Sequence, residues 1–305
     1  MRKSDHAIIF YFSGTGNTEL IARGYAEALR RRNLQTELCR IEDLLGGRQC
    51  VDFTSYGLIG IGHPVYGFGA PRLVETFAAG LPAGERTPVF VFKTASSPHA
   101  VNHRASKPLI RQLEGKGYEV YHDSLLAMAC NFYVKYDERL NKQLYQSALR
   151  KLDLLADEIA AGTSRELRVH PLLEKALRLL NDWEERKAGK YFAGGLQVGE
   201  ACTYCMKCVR NCPAGNISCE AGHFTFGPDC LLCMRCVYSC PRQAIKATRL
   251  RGSVVEPFTG GARLVKLLEE PGNDGRFVTA KSRGYYKHFI RYLLEDERQC
   301  GVRKE

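Results

Sequence analysis

The stretch over residues 7–18, AIIFYFSGTGNT, decides the fold. Apart from Ala7, its first six residues are β-branched or aromatic, with no polar alternation. That is the composition of a strand covered on both faces. The run ends at Ser13-Gly14, after which residues 18–32 place Leu20, Ile21, Tyr25, Ala28 and Leu29 at helical spacing over a polar remainder. A strand that turns through Ser13-Gly14-Thr15-Gly16-Asn17-Thr18 into a helix gathers backbone N–H groups and hydroxyls at the positive end of the helix dipole. This is an anion site.

Outward from this turn the pattern repeats. Strands are predicted at 35–41, 56–62, 88–93 and 118–128, with helices at 71–79, 107–115 and 137–161. Five strands alternating with helices give an α/β, doubly wound parallel sheet. From Gly162 the pattern changes. Residues 169–190 read as one amphipathic helix with Leu173, Leu177, Leu180 and Trp183 on one stripe, a connector packed on both neighbours. Gly194-Gly195 marks a boundary, and the residues beyond 248 are basic and weakly patterned apart from a helix over 285–297.

Eight of the thirteen cysteines fall into two copies of one pattern. Cys202, Cys205, Cys208 and Cys212 precede Pro213; Cys230, Cys233, Cys236 and Cys240 precede Pro241. In each copy the first three thiolates can close on one cubane, while the fourth starts a helical turn pointing away and ligates the other. This assigns Cys202, Cys205, Cys208 and Cys240 to one [4Fe-4S] cluster, and Cys230, Cys233, Cys236 and Cys212 to a second. Paired zinc sites are the competing assignment and leave half of each run unexplained. A disulfide framework belongs with short secreted chains. Cys39, Cys50, Cys130, Cys219 and Cys300 stand apart. The cysteine pattern resembles the bacterial two-[4Fe-4S] ferredoxin over about residues 197–248, where Asn211–Ile217 (NCPAGNI) matches Ser239–Ile245 (SCPRQAI).

The loop SGTGNT has no Lys and no GxGxxG spacing, which excludes Walker A and dinucleotide turns. It resembles the phosphate-binding loop of flavodoxins, and this resemblance covers residues 6–161. It implies the strand order 2-1-3-4-5 and non-covalent FMN at Ser13, Gly14, Thr15, Gly16, Asn17 and Thr18. It further implies a flavin face covered by Pro64, Val65, Tyr66, Gly67 and Phe68, with Tyr66 stacking and Gly67 offering a peptide to flavin N5. Thr94, Ala95, Ser96 and Ser97 would contact the ring edge. His99 and His103 face either a substrate or solvent, and Cys130–Tyr136 has no counterpart. The chain thus resembles flavodoxin–ferredoxin fusions of anaerobes. It reads as an FMN domain at 1–162, a helical linker at 163–196, a small ferredoxin-like α+β domain at 197–248 and a basic extension at 249–305.

The expected function is electron relay through FMN and two [4Fe-4S] clusters. The alternative is an FMN-dependent reductase of a small substrate, whose mark would be a pocket over the flavin built from 63–71, 94–104 and 130–136. No acid–base pair stands out, which favours the carrier. A redox sensor would need an output domain. No run approaches a membrane span, no signal peptide is evident and no nucleic-acid motif accompanies the charge, so a soluble, cytoplasmic protein is expected. The net charge of +11 lies mostly in residues 161–305, with 24 Lys and Arg against 16 Asp and Glu. Cofactor charges would leave about +5, which suits acidic redox partners. Lys281, Arg283, Lys287 and Arg291 are expected to form the docking face, and Lys207 and Arg235, inside the CxxC loops, either approach the clusters or are solvated.

Overall fold

The computed structural model describes residues 4–183, 187–258 and 260–295. Strands β1 (His6–Tyr11), β2 (Gln35–Arg40), β3 (Leu58–Pro64), β4 (Pro88–Ala95) and β5 (Glu119–Ala127) form one all-parallel sheet in the order β2-β1-β3-β4-β5. This is the flavodoxin-like α/β topology. Residues 7–11 of β1 and all of β3 are buried, as the uninterrupted apolar composition requires of strands covered on both faces. Helices α1 (Asn17–Arg30) and α5 (Glu138–Ala161) cover one face. Helices α2 (Ile41–Leu45), α3 (Arg72–Gly80) and α4 (Lys107–Gly115) cover the other. On α1 the buried side is Ile21, Ala22, Tyr25, Ala28 and Leu29, the helical stripe visible in sequence.

Two buried polar groups sit within the second layer. The Lys93 ammonium bonds Asp123 at 2.7 Å and Ser106 at 2.5 Å, and Ser106 donates to the other Asp123 oxygen at 2.8 Å. His63 is fully buried with Nδ1 at 2.9 Å from Pro64 O, and its Nε2 has no partner among the described residues.

The linker departs from its expected packing. Described helix covers α6 (Pro171–Trp183) and α7 (Gly189–Ala193); residues 184–186 and the Trp183 side chain lie outside the described residues. Of the expected stripe only Leu177 is buried, while Leu173 is 38% and Leu180 52% exposed. The inward face is set instead by Asn181, whose amide accepts from Arg104 at 2.9 Å and donates to Tyr66 O at 3.3 Å.

After the linker come β6 (Leu196–Val198), α8 (Lys207–Arg210), β7 (Ile217–Glu220), β8 (His223–Phe226), α9 (Arg235–Tyr238) and β9 (Ile245–Ala247). β6 pairs antiparallel with β9 and β7 with β8, so the two halves of the cysteine repeat interlock. The extension is not an appendage. Helix α10 (Ala262–Glu269), which the sequence reading missed, buries Leu264 and Leu267 completely against α1 and α5. Each such side chain contributes about 1.5–3 kcal/mol. Val278, Phe289 and Leu293 add a patch over α5, around the short helix α11 (Lys287–Ile290). The helix expected over 285–297 is broken: a 3₁₀ turn at Gly284–Tyr286 precedes α11 and a wider coil at Arg291–Glu295 follows it, with 296–297 outside the described residues. No described helix is long and apolar enough to cross a membrane.

Candidate functional site

A cleft of about 200 Å³ opens at the carboxyl ends of the strands, where open parallel sheets bind ligands. All the flavin-site residues singled out in sequence line it except Gly16 and Ser97. Gly16 shapes the loop from behind: its φ of 99°, accessible to glycine, places it as the residue before α1. Ser97 is turned to Asn102, whose amide donates to it at 3.2 Å.

The loop's polar atoms are arranged around the cleft. Gly16 N–H donates to Ser13 Oγ at 3.1 Å, and Asn131 donates to Thr15 Oγ1 at 3.2 Å, which leaves both hydroxyl hydrogens to be given elsewhere. Thr18 and Thr94 share one hydrogen at 2.7 Å. Asn17 donates to Ala129 O at 2.8 Å, while its Oδ1 is buried with no partner among the described residues. Tyr66 and Gly69 exchange backbone hydrogen bonds of 3.0 and 2.8 Å around Gly67 and Phe68, both left-handed, so this loop is a tight two-residue turn. Tyr66 lines the cleft, lies edge-on to Phe12 and turns its hydroxyl towards Gly14; burial pushes that hydroxyl well above the usual tyrosine range.

Cys130–Tyr136 has no counterpart in the flavodoxin resemblance and is expected from sequence only as one wall of a reductase pocket; Cys130, Asn131, Phe132 and Tyr133 line the cleft, with Met128, Ala129, Asn102 and Leu232. The available signal was position, since this loop follows β5 on the same edge as the other two. Tyr133 is 55% exposed with φ 76°, a conformation bulky residues seldom hold outside a functional constraint. His99 and His103 do not line the cleft: His99 packs on His288, and His103 lies 3.0 Å from Arg168 O.

The eight motif cysteines surround two further cavities. One is lined by Cys202, Cys205, Cys208 and Cys240, the other by Cys212, Cys230, Cys233 and Cys236. The two halves repeat at a spacing of 28 residues down to the backbone. Tyr204 and Leu232, Met206 and Met234, and Gly215 and Gln243 are left-handed pairs. Tyr204 and Leu232 N–H each point at the first sulfur of their run at 3.4 Å, and Asn216 and Ala244 N–H at the fourth sulfur at 3.3 Å. Burial pushes the Cys230 thiol up to about 11 and Cys233 up to about 12, and the nearby Cys212 thiol adds to both. All twelve described cysteines are free. Among the described residues no group of three or more His, Cys, Asp or Glu side chains converges closely enough to hold a metal ion.

Arg235 is not a solvated charge. Its guanidinium donates to Ser13 O at 2.7 Å, Gly14 O at 3.2 Å and Asn211 O at 3.1 Å, pairs with Glu42 at 2.6 Å and lies over the Phe12 ring. It ties the cysteine module to the anion loop. A Cβ on Gly14 would stand 2.6 Å from Cys233 O, so only glycine admits this approach. Lys207, at the equivalent place in the other half, is exposed.

No protein-family model and no curated protein matches the chain. Among solved structures, flavodoxin 2 from Bacillus cereus aligns at 20% identity over 51% of this chain and 98% of its own, with a TM-score of 0.38. A flavodoxin from the domain Archaea aligns at 16% over 52% and 98%, with a TM-score of 0.36. Rubredoxin oxygen:oxidoreductase from Desulfovibrio gigas aligns at 17% over 59% of this chain, which spans only 37% of that protein, with a TM-score of 0.37. The fold assignment rests on the sheet order itself.

Proposed function

We propose that this protein relays electrons between redox partners through FMN in the cleft and two [4Fe-4S] clusters, with 197–248 as a ferredoxin-like module. The observation that carries this reading is a shared wall. Leu232 lines the cleft, while Cys233, its neighbour in the proximal four-thiol cavity, abuts Gly14 of the anion loop. FMN exchanges one or two electrons and each cluster one, so the pair can convert between the two modes. The chain's own part is to hold these groups adjacent. Ser13, Thr15, Asn17 and Thr18 offer donors to a phosphate, and Arg235 fixes the loop that carries them. Each thiol cavity is lined by four cysteines with N–H groups aimed at sulfur, the donor set a [4Fe-4S] cubane would need. Residues from 64–68, 94–96 and 130–133, with Asn102, line the cleft, and these are the three segments named for a substrate pocket over the flavin, so an FMN-dependent reductase of a small substrate is the second reading.

The test is anaerobic reconstitution, with an expected content of about eight iron and eight sulfide per chain. Cys212→Ser should remove the spectroscopic signature of the cluster at Cys230, Cys233 and Cys236; loss of the other signature refutes the crossed assignment. A zinc-dominated protein with no low-temperature EPR signal on reduction refutes the clusters altogether. Thr15→Ala and Thr18→Ala should each weaken FMN binding by about 1–3 kcal/mol, read by fluorescence titration of the apoprotein. Undiminished flavin retention in the double variant removes the site.

A further inference from the structure

The two four-thiol cavities repeat each other in backbone and differ in surroundings. The proximal one contains no charged residue in its lining and is covered by Phe192 and Ala193 of α7. The distal one, at Cys202, Cys205, Cys208 and Cys240, has Lys207 and Arg242 in its wall and no acidic residue there. Cys205, Lys207, Arg210 and Arg242 are all exposed. Arg210 reaches back to Cys205 O at 2.8 Å, which holds its charge at the cavity mouth. Glu200 and Glu220, the acids nearest in sequence, are outside the lining. The distal cavity therefore has a positively charged mouth at which Cys205 is exposed.

We propose that this mouth is the docking surface for an acidic one-electron carrier protein. The inference rests on the proposed assignment of a cluster to the distal cavity. The exchange is a single electron, with donor oxidised and acceptor reduced by one unit and no bond made or broken. Convergent cations raise the encounter rate of an acidic partner and orient its approach on Cys205. The face expected from sequence, with Lys281 and Lys287, belongs to the segment packed over α5, and none of its residues lines either thiol cavity.

The experiment measures binding of holoprotein to an acidic plant-type [2Fe-2S] ferredoxin as probe, by surface plasmon resonance across a range of ionic strength. Lys207→Glu with Arg242→Glu should weaken binding about 10-fold or more at low salt and flatten the salt dependence. Lys281→Glu with Lys287→Glu should leave both unchanged. Equal effects from the two double variants, or an effect of the second alone, overturn the proposal. Iron content is measured on each sample first. If the Lys207/Arg242 variant loses iron, Arg210→Glu, outside the lining but bonded to Cys205 O, carries the same direction of effect. Wild-type protein that takes up no iron sinks the cluster assignment itself, a failure separate from that of the docking surface.

Discussion

Replacing Arg235 with methionine is expected to cost about 3–5 kcal/mol of folding stability and to loosen the phosphate loop. Arg235 and Glu42 have side chains only 11% and 7% exposed, so their pairing takes place largely out of water. Removing the cation leaves Glu42 with Arg40, itself 42% exposed, as its remaining partner at 2.6 Å. It also removes a donor from each of the Ser13 and Gly14 carbonyls, which must hold their places if the N–H groups beyond them are to converge on a phosphate. Urea unfolding of the apoprotein reads the stability, and flavin titration reads the loop. Arg235→Lys should recover only part of either, because a single ammonium cannot reproduce a planar fork serving three carbonyls and a carboxylate. The double variant Arg235→Met with Glu42→Leu should recover much of the stability but not the flavin affinity, since it removes the orphaned charge without restoring the carbonyl contacts. A single-variant loss below about 1 kcal/mol would show the pair to be incidental.

The α/β half was legible because each local signal agreed with the global fold. The apolar run at 7–12 is β1 displaced by one residue, and the helix read at 107–115 is α4 to the residue. The cysteine runs stand out in sequence by their repeated spacing, and in the structure Cys202, Cys205, Cys208 and Cys240 line one cavity and Cys212, Cys230, Cys233 and Cys236 the other. Contacts between segments distant in sequence were not legible. Nothing near Arg235 announces that Ser13 and Gly14, some 220 residues earlier, supply its acceptors. The outward-facing leucines of α6 misled for the same reason, since the helix is oriented by Asn181 against Arg104 and Tyr66. Helix α10 did carry a short periodic signal at Leu264, Leu267 and Leu268, but it spans only eight residues within a basic, loop-rich stretch.

Acid should weaken the fold through His63. This residue is fully buried at the end of β3, directly before Pro64, Val65 and Tyr66 of the cleft. Its Nδ1–H is committed to Pro64 O, so a second proton would have to enter at Nε2, where no acceptor waits. Burial, reinforced by the Lys93 ammonium across the β3–β4 register, lowers its pKa to about 4, against the ordinary value near 6.5. The unfolded chain therefore binds a proton between pH 6.5 and 4 that the folded chain refuses, and in that window stability rises with pH. The contribution is complete above about pH 6.5 and falls away towards pH 4, by about 3 kcal/mol in all. His122, also buried and lowered, and the carboxylates add slopes of their own, so the test is a difference. His63→Asn keeps an N–H for Pro64 O and removes the titration. Urea unfolding from pH 7 to pH 4 should show the variant flatter than the parent by that amount, and flavin retention in acid should improve with it, because the strain enters next to the Tyr66–Gly69 turn. Parallel stability curves for parent and variant would mean that the folded protein protonates His63 as readily as the unfolded chain does.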